Sequence, residues 1–213
     1  MTLLTIQKDI DKEIVIEKSR FICALRKVED EATAMQVIKD CKKKYWDATH
    51  NCSAYIIGAD MQCQKSSDDG EPSGTAGIPM LEVLRKRNLH NVLAIVTRYF
   101  GGTKLGAGGL IRAYGRSVSE AIDVAGIAQK QMMAECFFTD TIEEAGKTLN
   151  MLYTQTAFTI VDVEYTDVAK IILRMPQEEI KAVEKLLEEL LSRTMELTLL
   201  KEEYIEVPLE KIT

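Results

Sequence analysis

The sequence predicts an α+β protein of two domains, an N-terminal α/β domain over residues 1–128 and a ferredoxin-like domain over residues 129–213. Three observations carry that reading. Runs of strand length alternate with segments whose apolar residues recur at helical spacing, so the chain is neither all-α nor all-β. Beyond residue 130 the segments follow the order βαββαβ, that of a split βαβ sandwich. The charge divides at the same place. Residues 1–128 hold 18 Lys+Arg against 16 Asp+Glu, a net of +2, whereas residues 129–213 hold 9 against 17, a net of -8. Parts so unlike in charge are expected to meet unlike partners.

In order along the chain, residues 13–18 and 19–25 read as two short strands. Residues 29–46 place Ala34, Met35, Ile38, Cys41 and Tyr45 at helical spacing, with Lys39, Lys42 and Lys43 on the wet face. Residues 52–57 and 61–65 form a hairpin around Gly58-Ala59-Asp60. A loop dense in Ser, Asp, Gly and Pro covers residues 66–76, with Thr75 as the expected cap of a helix over residues 78–89. A strand at 91–97 leads into glycines, and a helix is expected from Leu110 until Gly126 stops it. In the second domain, residues 132–138, 157–165, 168–175 and 195–207 read as strands. One helix opens at Asp140 with Glu143 in a capping-box-like pattern, and the other opens at Pro176.

The whole chain has 213 residues and a net charge of -6, with 46% hydrophobic and 28% charged residues, an ordinary globular composition. No apolar run approaches the roughly 18 residues needed to span a bilayer. Lys8, Asp9, Asp11, Lys12 and Glu13 stand where a signal peptide would be apolar, so a cytoplasmic protein is expected. The five cysteines form no CxxC pair and read as reduced thiols.

The chemistry concentrates between residues 66 and 117. Arg98-Tyr99-Phe100-Gly101-Gly102-Thr103-Lys104-Leu105-Gly106-Ala107-Gly108-Gly109 joins a strand to a helix, an order that leaves backbone N–H groups and the positive helix end facing one anion site. From Arg85 to Arg116 there are seven Lys and Arg and no acid. The loop is not a Walker A cradle, because Ala107-Gly108 follow Gly106 where Lys and Ser/Thr belong. It is not a dinucleotide fingerprint either, because Ile111 stands in the third glycine's place. What remains is an anion or nucleic-acid site made of Arg98, Tyr99, Gly101, Gly102, Lys104, Gly106, Gly108, Gly109, Arg112 and Arg116, with Arg112 and Arg116 on one helix face. The competing reading is a tight turn packed on a neighbouring backbone, its arginines paired to acids elsewhere.

Asp68, Asp69 and Glu71, just upstream, form an acidic loop that completes one composite surface with the glycines. As three carboxylates they could hold Mg²⁺ or orient a nucleophile, but turn, cap and ion-pair roles account for them more simply, and no catalytic residue is assigned. His50 and Cys52 share a strand face, with Cys63 across the hairpin, but a third ligand is missing and no metal site is assigned. Tyr99 and Phe100 suit base stacking or a core equally well. Glu178, Glu179, Glu184, Glu188 and Glu189 read as a solvated helix face or, alternatively, a docking surface.

Ser67-Asp68-Asp69-Gly70-Glu71-Pro72-Ser73-Gly74-Thr75-Ala76-Gly77, followed by Arg98-Tyr99-Phe100-Gly101-Gly102 and Leu105-Gly106, closely resembles the signature of the IMPACT/YigZ family in its bacterial two-domain form. Lys18-Ser19-Arg20-Phe21 and Ala48-Thr49-His50-Asn51-Cys52 belong to the same match. The resemblance implies that the N-terminal domain is similar to the second domain of a small-subunit ribosomal protein, with a left-handed βαβ crossover. It implies a C-terminal domain similar to the fifth domain of elongation factor G. The family is regarded as translation-regulating.

These readings converge on a translation-associated regulatory protein that binds RNA, the ribosome or a translation factor, without a membrane and in an undetermined oligomeric state. No cofactor is expected. Mg²⁺ enters only under one alternative, a nucleotide-dependent small-molecule kinase-like enzyme of the GHMP type. The other alternative is a protein–protein adaptor using the acidic second domain.

Overall fold

The structure, a computed structural model, describes residues 3–209, which fall into two compact units: residues 3–130 with 206–209, and residues 131–205. Both are mixed α and β. Among the described residues no helix is long and apolar enough to cross a membrane.

In the first unit the elements are β1 (Leu3–Ile6), β2 (Ile10–Ile16), β3 (Ser19–Lys27), α1 (Glu31–Lys44), β4 (His50–Ile57), β5 (Cys63–Ser67), α2 (Gly77–Lys86), β6 (Val92–Tyr99) and α3 (Gly106–Ala125). Five strands form an antiparallel sheet in the order β2-β3-β6-β4-β5. Central β6 is buried on both faces, and its alternation divides the core. Leu93 and Ile95 join Ala34 of α1 in one apolar cluster, while Val92, Ala94 and Val96 join Met80 and Leu84 of α2 and Tyr114 and Val118 of α3 in another. The end of β6 therefore delivers Arg98 and Tyr99 to the same sheet end as the start of β4, with His50 paired to Arg98.

β1 had no counterpart in the sequence reading, because Leu3-Leu4-Thr5-Ile6 is too short to show a period. It is fixed by pairing with the first residues of β7 (Ile127–Asp140), Leu3 opposite Lys130 and Ile6 opposite Ile127. The expected start of α3 is corrected as well. The helix begins at Gly106, four residues before Leu110, so Gly106, Gly108 and Gly109 lie in its first turn. Glycines are poor helix formers, but a Cβ on Gly109 would stand 2.9 Å from the Leu105 Cβ, so packing selects glycine there. Gly126 ends α3 with φ 74° but ψ 161°, a positive-φ stop outside the left-handed helical region expected of it.

The second unit adds α4 (Ile142–Leu152), β8 (Thr159–Tyr165), β9 (Ala169–Pro176), a 3₁₀ turn (Gln177–Glu179), α5 (Ile180–Leu191) and β10 (Thr198–Pro208). Its strands lie in the order β10-β7-β9-β8, with the last strand beside the first, as in a split βαβ sandwich. Phe138, Leu152, Leu173, Val183 and Leu187 fill the core between sheet and helices. The cap of α4 is Thr141, which accepts from the Glu144 N–H at 3.2 Å. Asp140, expected to start the helix, is instead buried, accepting from Thr148 Oγ1 at 2.5 Å and Arg193 Nη1 at 3.2 Å. Pro176 ends β9, and the 3₁₀ turn separates it from α5. Two of the acidic residues on α5 are structural: Glu184 accepts from the Leu197 N–H at 3.0 Å and Glu188 from the Met195 N–H at 3.2 Å.

Candidate functional site

The acidic loop after β5 is organised by Asp68. Its Oδ2 accepts from the Gly74 N–H at 2.8 Å, and its Oδ1 from the N–H groups of Ala76 and Gly77 at 3.0 and 2.8 Å. These bonds close the loop and satisfy the start of α2, whose own cap position, Ala76, supplies no acceptor. Thr75, the expected cap, donates its hydroxyl to the Pro72 carbonyl instead, at 2.6 Å. Burial pulls the Asp68 carboxyl upward, but the three N–H donors outweigh it and hold it below its ordinary range. Asp69 turns the other way, accepting from the Asn51 N–H at 2.6 Å and from Lys42 Nζ at 2.5 Å.

Glu71 points inward, its side chain 3% exposed. Oε1 accepts from Arg98 Nη1 at 2.6 Å and from the Tyr114 hydroxyl of α3 at 2.8 Å. The three carboxylates thus diverge to separate donors rather than converging on one point. Among the described residues no group of three or more His, Cys, Asp or Glu is placed to hold a metal.

Arg98 is the charged centre of this buried network. Its side chain is 6% exposed, its guanidinium lies 5.4 Å from the Phe21 ring centroid and 5.6 Å from that of Phe100, and Nη2 donates to Ser19 Oγ at 3.4 Å. Arg98 Nε is buried with no hydrogen-bond partner. Beneath it, Cys52 Sγ lies 2.9 Å from the Asp68 carbonyl oxygen and 3.4 Å from the Tyr114 hydroxyl. Burial pushes the Cys52 thiol up to about 12 and keeps the Tyr114 phenol protonated, so neither is an activated nucleophile. Cys63 contacts Glu31 instead, so His50, Cys52 and Cys63 do not meet as ligands.

Above the network opens a cleft of about 300 Å³. One wall is His50, Glu71, Arg98 and Phe100, and the other is Lys104, Leu105 and the first residues of α3. His50 Nδ1 sits 2.8 Å from the Asp69 carbonyl oxygen, which can only accept, so Nδ1 carries the hydrogen. Nε2 is then the free end of the ring, 3.9 Å from Glu71 Oε2. On the second wall Leu105, at the cap position of α3, makes no side-chain bond to the helix, and the first turn contains no acid. Lys104 is exposed and, among the described residues, makes no ion pair, and the same holds for Arg112 on α3.

The structure therefore brings Arg98, Lys104 and Gly106 together with Glu71 and separates them from other expected members. Tyr99 turns outward to Asp47, its hydroxyl donating at 2.8 Å, and Arg20 lies 5.3 Å from its ring centroid. Arg116 is paired with Glu120 at 2.6 Å. The stretch free of acids in sequence is not free of them in space: Arg87 meets Asp123, Arg98 meets Glu71 and Arg116 meets Glu120. Arg98, expected among the anion-binding residues, lines the cleft as a buried residue paired with Glu71, because β6 carries it into the core. Gly101 belongs to the turn itself. A Cβ there would stand 2.0 Å from the Lys18 carbonyl carbon, and its N–H donates to Ser19 Oγ at 3.1 Å. Gly102, with φ 86°, has open space around it. Thr49 and His50 enter the cleft unassigned by sequence to this site. Pairing of His50 with Arg98 was the signal, and it required the strand order.

All the residues of this cleft lie within 17–122, the part of the chain matched by the family model described as the Impact N-terminal domain. A second model, a domain of unknown function (DUF1949), matches residues 150–192. IMPACT family member YvyE of Bacillus subtilis (strain 168) is 47% identical over 186 residues, covering 87% of this chain and 85% of that protein. IMPACT family member YigZ of Escherichia coli (strain K12) is 43% identical over 109 residues, covering 50% and 53%. A crystal structure described as that of a hypothetical protein is similar over 95% of this chain and 98% of that one, with a TM-score of 0.59 and 28% identity. With one such relative matched over most of both chains, and the cleft inside the matched domain, the chain belongs to the IMPACT family.

Proposed function

We propose that this is a cytoplasmic, translation-associated regulatory protein whose N-terminal part, residues 1–128, binds the phosphates of RNA, on the ribosome or a translation factor, at the start of α3. One observation carries the reading: a twenty-residue helix begins without a side-chain cap or a first-turn acid, and exposed Lys104 stands at its entrance without an ion-pair partner among the described residues. Free N–H groups and the positive helix end attract a phosphate, and Lys104 and Arg112 supply the counter-charge. Arg98 supports the site from behind, its charge balanced by Glu71.

The wider reading rests on the family resemblance. In it the N-terminal part is similar to the second domain of a small-subunit ribosomal protein, and residues 129–213 are similar to the fifth domain of elongation factor G, both folds of the translation apparatus. A kinase-like reading has less support, since Asp68, Asp69 and Glu71 are engaged by separate donors. The test is fluorescence anisotropy with an unstructured RNA oligonucleotide. Lys104→Ala and Arg112→Ala together are expected to weaken binding and flatten its salt dependence, while unchanged affinity and slope reject the proposal.

A further inference from the structure

The cleft holds more polar capacity than a phosphate grip requires. Glu71 uses Oε1 for both Arg98 and Tyr114, and among the described residues Oε2 makes no hydrogen bond, with His50 Nε2 standing 3.9 Å from it. With Nδ1 turned to the Asp69 carbonyl, His50 Nε2 and Glu71 Oε2 stand side by side as the polar atoms left for a ligand's hydroxyls. Arg98, beside them, is more than nine-tenths buried and its Nε has no partner. Buried polar groups are ordinarily satisfied, so an orphaned one beside the cleft needs an explanation such as a bound water or ion. At the mouth, Phe100 is 47% exposed although apolar, and the Arg98 guanidinium 5.6 Å from its centroid steadies the ring.

A ligand that fits must carry negative charge at one end, vicinal hydrogen-bond donors in the middle and a flat apolar face. The volume of about 300 Å³ lies at the small end of ligand pockets and admits one such unit, not a base pair. Ribose hydroxyls are donors of the required kind, and a 2′-hydroxyl is what distinguishes RNA from DNA at a protein site. We infer that the cleft binds a single ribonucleotide, with its phosphate at Lys104 and the start of α3, its ribose hydroxyls on His50 Nε2 and Glu71 Oε2, and its base on Phe100. This rests on the phosphate reading proposed above and adds that the recognised RNA unit is one unpaired or terminal nucleotide.

The experiment titrates the full chain with AMP, 2′-deoxyadenosine 5′-monophosphate, adenosine and inorganic phosphate, following backbone amide NMR shifts. AMP is expected to shift the amides of residues 100–109 and to bind at least tenfold more tightly than adenosine or the deoxynucleotide. Phe100→Ala, at an exposed position, should weaken AMP at least fivefold and leave inorganic phosphate unaffected. His50→Ala should remove the preference for AMP over its deoxy form. Equal affinities for AMP and inorganic phosphate, equal affinities for AMP and its deoxy form, or shifts outside the cleft each overturn the inference. If RNA binds with a Lys104-dependent salt slope but AMP does not bind, this inference fails and the proposed function stands. If AMP binds as described but Lys104→Ala leaves RNA affinity unchanged, the RNA reading fails and the nucleotide itself is the ligand.

Discussion

Glu71→Ala is expected to destabilise the first unit severely, because it strands a buried charge. Arg98 would keep its guanidinium between Phe21 and Phe100 without a counter-ion, and the Tyr114 hydroxyl would lose its acceptor. Removing one partner of a buried pair costs about 3–5 kcal/mol, and an unmet hydroxyl adds roughly 1 kcal/mol. Because both losses arise from one carboxylate they overlap, giving about 4 kcal/mol in all. At ~4 °C per kcal/mol for a domain of this size, the melting temperature should fall by on the order of 15 °C. The double variant Arg98→Met with Glu71→Leu removes both charges, fills similar volume and keeps a polarizable group against the rings, so it should recover most of that loss. Urea and thermal denaturation of wild type, single and double variants read the difference directly. A Glu71→Ala loss under about 1 kcal/mol, or a double variant no more stable than the single one, would refute the assignment of this pair as the structural centre of the site.

Three further outcomes follow from the geometry. Asp68→Ala should cost about 3 kcal/mol, since it removes a charge-assisted acceptor from the N–H groups of Gly74, Ala76 and Gly77. The Asp68 carboxyl lies below its ordinary value of 3.8 in the folded chain, so its contribution is fully present above that value and lost as pH falls through the folded one. The stability gap between wild type and variant should therefore close in acid, and a gap constant between pH 7 and 2 would contradict the assignment. Gly101→Ala should cost about 3 kcal/mol, read by denaturation, because its Cβ would overlap the Lys18 carbonyl; wild-type stability would show that the turn does not require this close approach. Cys52, buried and with its thiol pushed up to about 12, should resist iodoacetamide in the native protein and react in urea. Equal rates in the two conditions, measured by mass spectrometry, would count against it.

Much of the fold was legible because patterns of period two and 3.6 are local. The apolar runs of β3, β4 and β6 and the βαββαβ order of the second part were visible as local patterns, whereas the end of β5, Ser66 and Ser67, was read as loop because it is polar. Two further features were not legible. Leu3–Ile6 becomes a strand only through its pairing with residues 127–130, a partner more than a hundred residues away. The start of α3 was misplaced because glycine disfavours helix locally, yet the helix runs from Gly106 with three glycines at its start. The site shows the same division. The glycine segment and the acidic loop stood out as composition, but which cations stay unpaired depends on strand order and helix face. Arg98, Arg87 and Arg116 find acids that lie 27, 36 and 4 residues away in sequence, whereas Lys104 makes no such pair among the described residues. Thr49 and His50 could not be placed at the cleft before β4 was known to pair with the end of β6.

The salt dependence of RNA binding measures the central claim most directly. Affinity for an unstructured RNA oligonucleotide, followed by anisotropy from 50 to 200 mM salt, yields the slope of log K against log salt concentration. Each lost phosphate contact on a single strand should reduce the magnitude of that slope by about 0.7. The account predicts such a reduction for Lys104→Ala and none for Arg116→Ala, whose guanidinium is held by Glu120. A Lys104→Ala protein with wild-type affinity and wild-type slope would contradict it.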